Sequence, residues 1–160
     1  MDNGTMDNAF RLKSVGKNNS FYRGNNLGRQ FRKSEYCFSI VIMKPNILKQ
    51  KSFAFSVRMV NLYKFLKSRH REYIISQQVM RCGTSIGALI RESEQAESVR
   101  DFIHKLSIGL KEANECDYWL DLLSATFYIT EKMYRSLKRD CEELLKILTA
   151  SIKTSKLRIK

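Results

Sequence analysis

Apolar residues recur at steps of three and four from residue 46 onward, which is the spacing of amphipathic helices. The pattern predicts one helix over 46–68 and a second over 72–93. Ser98 and Thr130 are typical N-caps and predict the starts of a third and a fourth helix. No apolar and polar residues alternate in a run bounded by turns, so no strand is predicted. The fold class is therefore all-α, an antiparallel up-down-up-down four-helix bundle.

The first helix carries two apolar rows. We call them the Phe53 row (Phe53, Val57, Val60) and the Phe55 row (Phe55, Met59, Leu62, Leu66). Together they cover roughly half of the helix circumference, whereas one interface needs a stripe of about 100° or slightly more. The extra width predicts a contact with another subunit, and we assign the Phe55 row to that contact. The alternative is a central helix that touches two neighbours within one bundle.

Small residues interrupt the apolar rows of the second and third helices. Gly83 and Gly87 lie in the middle of the second helix, although a glycine there costs about 1 kcal/mol relative to alanine. Their presence predicts that another backbone approaches closely. Cys82, Cys116 and Cys141 fall on the apolar stripes and are interpreted as core residues, which favours a reducing compartment. The spacing of the cysteines shows no zinc-site pattern.

Charge is distributed unevenly along the chain, whose formal net charge is +13. Residues 44–71 contain eight basic residues and no acidic one, whereas residues 92–121 contain eight acids and three bases. Such a basic segment favours a polyanionic partner, although excess charge can also serve solubility alone. The nucleic-acid-binding candidates are Arg58, Lys64, Lys67, Arg69 and Arg71.

Residues 1–43 differ from the rest of the chain in composition. They are rich in Asn, Gly, Ser and basic residues without a helical period, so we expect a disordered N-terminal extension before a bundle domain at 44–160. No apolar stretch approaches the ~20 residues of a membrane span, and we expect a cytoplasmic protein without membrane contact.

Two stretches of the second and third helices resemble the bacterial four-helix bundle family, also called the 23S rRNA intervening-sequence protein family. The first is TSIGALIRE at 84–92. The second contains DFIHKLSIGLKEA at 101–113, followed by YWLDLL at 118–123. The resemblance implies a ring-like homopentamer. It also relates the chain to accessory variability proteins of diversity-generating retroelements, which associate with a reverse transcriptase and its RNA. Leu89 departs from the family pattern, which often has Asn there.

Catalytic patterns are weak. A di-metal bundle needs two Glu-x-x-His pairs, and the nearest feature is the single pair of Asp101 and His104. Arg100 and His104 share a helix, as in some helical RNases, but no supporting polar network is visible. We therefore expect no enzyme, no metal and no cofactor. Tyr118 and Trp119 could stack on bases, although we favour their assignment to an oligomer interface.

The leading functional hypothesis is a non-enzymatic, oligomeric module that binds RNA or DNA through a basic face. The alternative is a protein-interaction scaffold, such as an accessory to the reverse transcriptase of a diversity-generating retroelement. The interface between subunits would use the Phe55 row, Tyr118 and Trp119. Several subunits would multiply a modest positive patch and so raise avidity.

Overall fold

The computed structural model describes residues 47–159, and four long α-helices make up most of that range. They are α1 (Ile47–Phe65), α2 (Ile74–Ser93), α3 (Val99–Ala125) and α4 (Glu131–Leu157). Between α1 and α2 lies a single π-helical turn, Leu66–His70. The described residues contain no strand, which confirms the all-α prediction. The predicted extension at 1–43 lies outside them.

The four helices form a closed square in which chain neighbours are also spatial neighbours. α2 packs between α1 and α3, and α4 packs between α3 and α1. Ion pairs show that neighbours run antiparallel: Lys51 and Arg58 of α1 contact Glu143 and Asp140 of α4, in reverse order along that helix. This is the predicted up-down-up-down bundle. The π-helical turn and the α3–α4 turn therefore lie at one end, and the α2–α3 loop lies at the other.

The helix starts follow local chemistry that the sequence signalled. The Ser98 side chain accepts the Asp101 N–H, at 3.1 Å, and the Thr130 side chain accepts the Met133 N–H, at 3.3 Å. Both predicted N-caps are confirmed. α2 starts differently, because the Glu72 carboxylate accepts the backbone N–H groups of residues 74–76. Helix 2 thus begins at Ile74, two residues later than predicted, with Glu72 as its capping side chain.

The core contains the Phe55 row. All four of its side chains are almost fully buried within the single chain, so their assignment to a contact between subunits is wrong. The alternative holds instead, because α1 lies between α2 and α4 and needs a broad apolar face to contact both. The Phe53 row points the other way, and Phe53 itself is 57 % exposed. The apolar pattern of α1 is wide because it includes a buried face, the Phe55 row, and a partly exposed face, the Phe53 row.

The cysteines of the described helices lie deep in the bundle. Cys82, Cys116 and Cys141 are buried free thiols, as predicted. Cys116 Sγ lies 3.7 Å from Met59 Sδ, which joins α3 to α1 across the square. Hydrogen bonds to the neighbouring thiols and burial raise the pKa of Cys116, so this group stays protonated and acts as a small apolar side chain.

Candidate nucleic-acid interface

Four of the five predicted cationic residues lie together at one end of the bundle. Lys64 is in the last turn of α1, Lys67 and Arg69 are in the π-helical turn, and Arg71 follows it. All four are exposed, and none forms an ion pair with another residue of the described segment. We call this set the basic tip.

Arg58 does not lie with them, although the sequence grouped it with the other four. It faces α4 and is only 8 % exposed. Its guanidinium binds the Asp140 carboxylate, and it also donates to the backbone oxygen and the hydroxyl of Ser136, at 3.1 and 2.8 Å. These contacts fasten α1 to α4. A phosphate could not reach the group without breaking them, so Arg58 is removed from the candidate interface.

Aromatic rings contact one cation of the basic tip, Lys67, and also the neighbouring His70. The Lys67 ammonium lies 5.7 Å from the ring centroid of Tyr63 and 5.8 Å from that of Tyr73, distances typical of cation–π contacts. The His70 ring contacts Phe65 edge-on at 5.5 Å and Tyr128 at 5.4 Å. The second of these contacts ties the π-helical turn to the α3–α4 turn.

The backbone at this end includes two unusual residues. Arg71 and Phe127 are the non-glycine residues of the described segment with positive φ, at 51° and 61°. Arg71 is the C-cap of the π-helical turn, and Phe127 directly follows Thr126, the C-cap of α3. Nothing in the sequence pointed to Phe127, because the left-handed position can be located only when the last turn of the helix is known.

The acid nearest in sequence to the basic tip is turned away from it. Glu72 is buried, and its carboxylate accepts three backbone N–H groups at the start of α2. Burial alone would raise the pKa of Glu72, but these hydrogen bonds outweigh it and lower the pKa. Its negative charge is therefore used to cap α2, where it also complements the helix dipole.

Most of the acids of α3 form ion pairs within the bundle. Arg81 of α2 binds Glu115 at 2.6 Å, and Lys138 of α4 binds Asp117 and Asp121 at 2.8 and 2.6 Å. Partial burial alone would lower the pKa of Lys138, but the hydrogen bonds that its ammonium donates to both carboxylates raise it. These pairs join α3 to both of its neighbours. The acidic stretch thus serves packing, whereas the basic tip has no such counterpart among the described residues.

The proposed interface pair Tyr118 and Trp119 divides between surface and core. Tyr118 is exposed, and its ring centroid lies 5.1 Å from that of Trp119. Trp119 is half-buried against the core, and its indole N–H donates to Glu115 at 3.3 Å. Tyr118 is thus the more available of the two for a partner, and a subunit contact at either residue stays a prediction.

The weak catalytic candidates do not form a site. Arg100 and His104 are exposed, and the Asp101 carboxylate accepts the Glu97 N–H at the start of α3. Within residues 47–159, no group of three or more His, Cys, Asp or Glu side chains is placed to hold a metal ion. None of the helices in that range is both long enough and apolar enough to cross a membrane.

Fold and surface together define an antiparallel four-helix bundle with a cationic end. The model of the 23S rRNA-intervening sequence protein family matches residues 44–150. The chain belongs to that family.

A crystal structure similar to this chain is that of a protein of unknown function from the S23 ribosomal protein family of Bacteroides thetaiotaomicron VPI-5482. The two chains are 55 % identical and superpose with a TM-score of 0.66, over 67 % of this chain and 99 % of that one. None of the curated proteins compared with the chain matches it.

Proposed function

We propose that this protein is a non-enzymatic, oligomeric four-helix bundle that binds RNA or DNA through the basic tip. The observation that carries the proposal is the clustering of four exposed cations that lack an ion-pair partner among the described residues. Phosphate contacts from such cations release counterions, which supplies most of the affinity in sequence-independent binding. The family description, which refers to 23S rRNA, agrees with a nucleic-acid partner.

The size of the basic tip sets the expected salt dependence. If all four cations contact phosphates of a single strand, log K falls with log salt with a slope of about −3 per subunit. The association constant then falls roughly 50-fold between 50 and 200 mM salt. An oligomer would engage several tips on one long strand, so the slope should be measured with short oligonucleotides that span a single tip.

The test compares two triple variants that remove the same charge. One variant is Lys67→Ala, Arg69→Ala and Arg71→Ala in the basic tip. The matched control is Lys146→Ala, Lys153→Ala and Lys156→Ala, which removes three exposed lysines of α4. Fluorescence anisotropy with a short RNA is expected to show the salt slope reduced by about 2 in the tip variant and little changed in the control.

Two results would contradict the proposal. Equal losses in the two variants would mean that net charge alone attracts the RNA, without a localised interface. Absence of binding by the unaltered protein in dilute buffer would remove the proposed function altogether.

Exposed apolar residues away from the basic tip support the oligomeric part of the proposal. Phe53 and Tyr118 are both more than half exposed, and the Arg91 guanidinium lies 5.3 Å from the centroid of the Phe53 ring. A contact between copies would use the Phe53 row in place of the buried Phe55 row. Five copies is the number that the family resemblance implies.

The same exposed rings favour a second candidate function, a scaffold that binds another protein. An accessory to a reverse transcriptase of a diversity-generating retroelement would be one such scaffold. In that case Phe53→Ala would weaken capture of the reverse transcriptase by the purified bundle, while the triple variant of the basic tip would not. The first proposal requires the opposite result for RNA binding. The triple variant of the basic tip would lose affinity for RNA, and Phe53→Ala would not.

A further inference from the structure

The turn between α3 and α4 presents an aromatic ring to solvent at a costly backbone position. Phe127 has a φ of 61° and follows the last residue of the α3 cap. Its N–H donates to the Ser124 oxygen at 3.1 Å, and the next N–H donates to the Leu123 oxygen at 3.0 Å. This pair of hydrogen bonds closes the C-terminus of many helices, and the left-handed residue within it is usually glycine. A phenylalanine there is strained, and this one is 89 % exposed.

The residues that follow Phe127 anchor the turn and fix where the ring lies. Ile129 is buried in the core, and the Tyr128 ring packs edge-on against His70. His70 belongs to the π-helical turn that carries Lys67 and Arg69. The contact between the Tyr128 and His70 rings therefore places the exposed Phe127 at the same end of the bundle as the basic tip.

Packing within the chain does not explain the phenylalanine. A ring that is almost wholly exposed gains little from the bundle, and the left-handed backbone would be relieved by glycine or asparagine. Both costs fall on one residue, which lies at the same end of the bundle as the basic tip. Strained residues of this kind persist where the surrounding structure holds them for a purpose other than stability.

We infer that Phe127 is a stacking residue for an unpaired base of a single-stranded nucleic acid whose phosphates lie on the basic tip. The inference rests on the proposed function and narrows its ligand class. Stacking on aromatic rings beside a cationic groove is the common way to bind a single strand, because every base offers a π-face. The bases of a duplex are already stacked on each other, so a duplex can use the cations but not the ring.

The experiment measures affinity for an RNA oligonucleotide as a single strand and as a duplex of the same sequence. Phe127→Gly and Phe127→Asn both remove the ring and tolerate the left-handed backbone, so both are expected to fold, with a raised thermal midpoint for Phe127→Gly. Single-strand affinity is expected to fall about 5- to 150-fold in both variants, the range for loss of one stacked base. Duplex affinity is expected to stay within twofold.

Two further variants complete the design. Phe127→Trp keeps an aromatic face and is expected to restore single-strand binding. Leu157→Ala removes an exposed apolar side chain from the end of α4, far from the basic tip, and is expected to leave both affinities unchanged. Irradiation of a complex with 5-iodouridine RNA is expected to cross-link the peptide that contains Phe127, as identified by mass spectrometry.

The outcomes separate this inference from the proposed function. If Phe127→Gly binds the single strand as tightly as the unaltered protein, the stacking role is wrong while the basic tip stands. If Phe127→Gly loses single-strand and duplex affinity equally, the residue shapes the tip without stacking, and the inference again fails. If the unaltered protein binds neither form, both proposals fall.

Discussion

At the scale of single residues, the helical glycines Gly83 and Gly109 differ in how closely a neighbouring helix packs against them. An added Cβ at Gly83 would overlap Met59 Cγ and lie 3.0 Å from Met59 Cβ, so α1 and α2 meet there at a distance that only glycine permits. The nearest atom to an added Cβ at Gly109 is Leu89 Cβ, at 3.7 Å, which is ordinary van der Waals contact. Close packing therefore explains Gly83 but not Gly109.

This difference predicts opposite effects of the same substitution. Gly83→Ala is expected to lower the free energy of unfolding by up to about 2 kcal/mol, because an overpacking cost of about 1–3 kcal/mol outweighs the gain in helix propensity of about 1 kcal/mol. Gly109→Ala is expected to raise it by about 0.5–1 kcal/mol, because only the propensity term applies. Urea denaturation of both variants checks the pair. Stabilisation by Gly83→Ala would show that the close approach of α1 and α2 does not constrain that position.

At the scale of the element, the start of α2 depends on a single carboxylate. Glu72 lies before the helix and accepts three backbone N–H groups, at 2.6 to 2.9 Å. The hydrogen bonds and the positive end of the helix dipole favour the ionised form. The cap also fixes where the chain turns after Arg71, and so it supports the geometry of the basic tip.

Replacing Glu72 with glutamine should reveal the contribution of this cap to the free energy of unfolding and its dependence on pH. Because the pKa of Glu72 is lowered in the folded protein, its contribution is present above its unfolded value, about 4.5, and is lost as pH falls through the folded value. Glu72→Gln is expected to cost about 1–2 kcal/mol of unfolding free energy at pH 7.

The difference from the unaltered protein should shrink as the pH falls below the unfolded pKa of about 4.5 and through the lower pKa of the folded protein. Urea unfolding at several pH values gives the comparison. Glu142→Gln, an exposed position on α4, is the control and should show no such trend. A difference that stays constant down to low pH would mean that the carboxylate charge does not contribute to the cap.

The sequence predicted the elements well because helices, caps and core positions are local or periodic properties. Ser98, Thr130 and the three buried cysteines needed only their neighbours along the chain to be placed. Arg58 and the Phe55 row were misassigned because one helix does not reveal which of its faces its neighbours cover. Phe127 was missed for a related reason, since its significance depends on a turn geometry and on the ring contact between His70 and Tyr128.

At the scale of the whole molecule, the surface separates into parts with different properties. The basic tip is at one end, and the Phe53 row lies along the side of α1 that faces away from the core. If copies associate through that side, their basic tips remain available at the ends. Oligomer formation and nucleic-acid binding could then be disrupted independently.

A charge placed on the Phe53 row should therefore lower the mass of the assembly without changing the tip. Phe53→Glu is expected to shift the sedimentation-velocity distribution toward the monomer, because a carboxylate cannot be buried in an apolar contact without a partner. Ile47→Glu is the matched control: Ile47 is also more than half exposed and belongs to α1. It precedes Phe53 by six residues and so lies about 120° away around the helix. An unchanged mass in the Phe53→Glu protein would exclude this row from the contact.

The antiparallel order of the helices has a practical consequence. α4 begins beside the basic tip and runs for 27 residues, a length of about 40 Å, before it ends at Leu157. A dye or immobilisation tag fused after that helix joins the bundle at the far end from the basic tip. Biosensor surfaces and anisotropy probes can thus be attached there without blocking access for RNA.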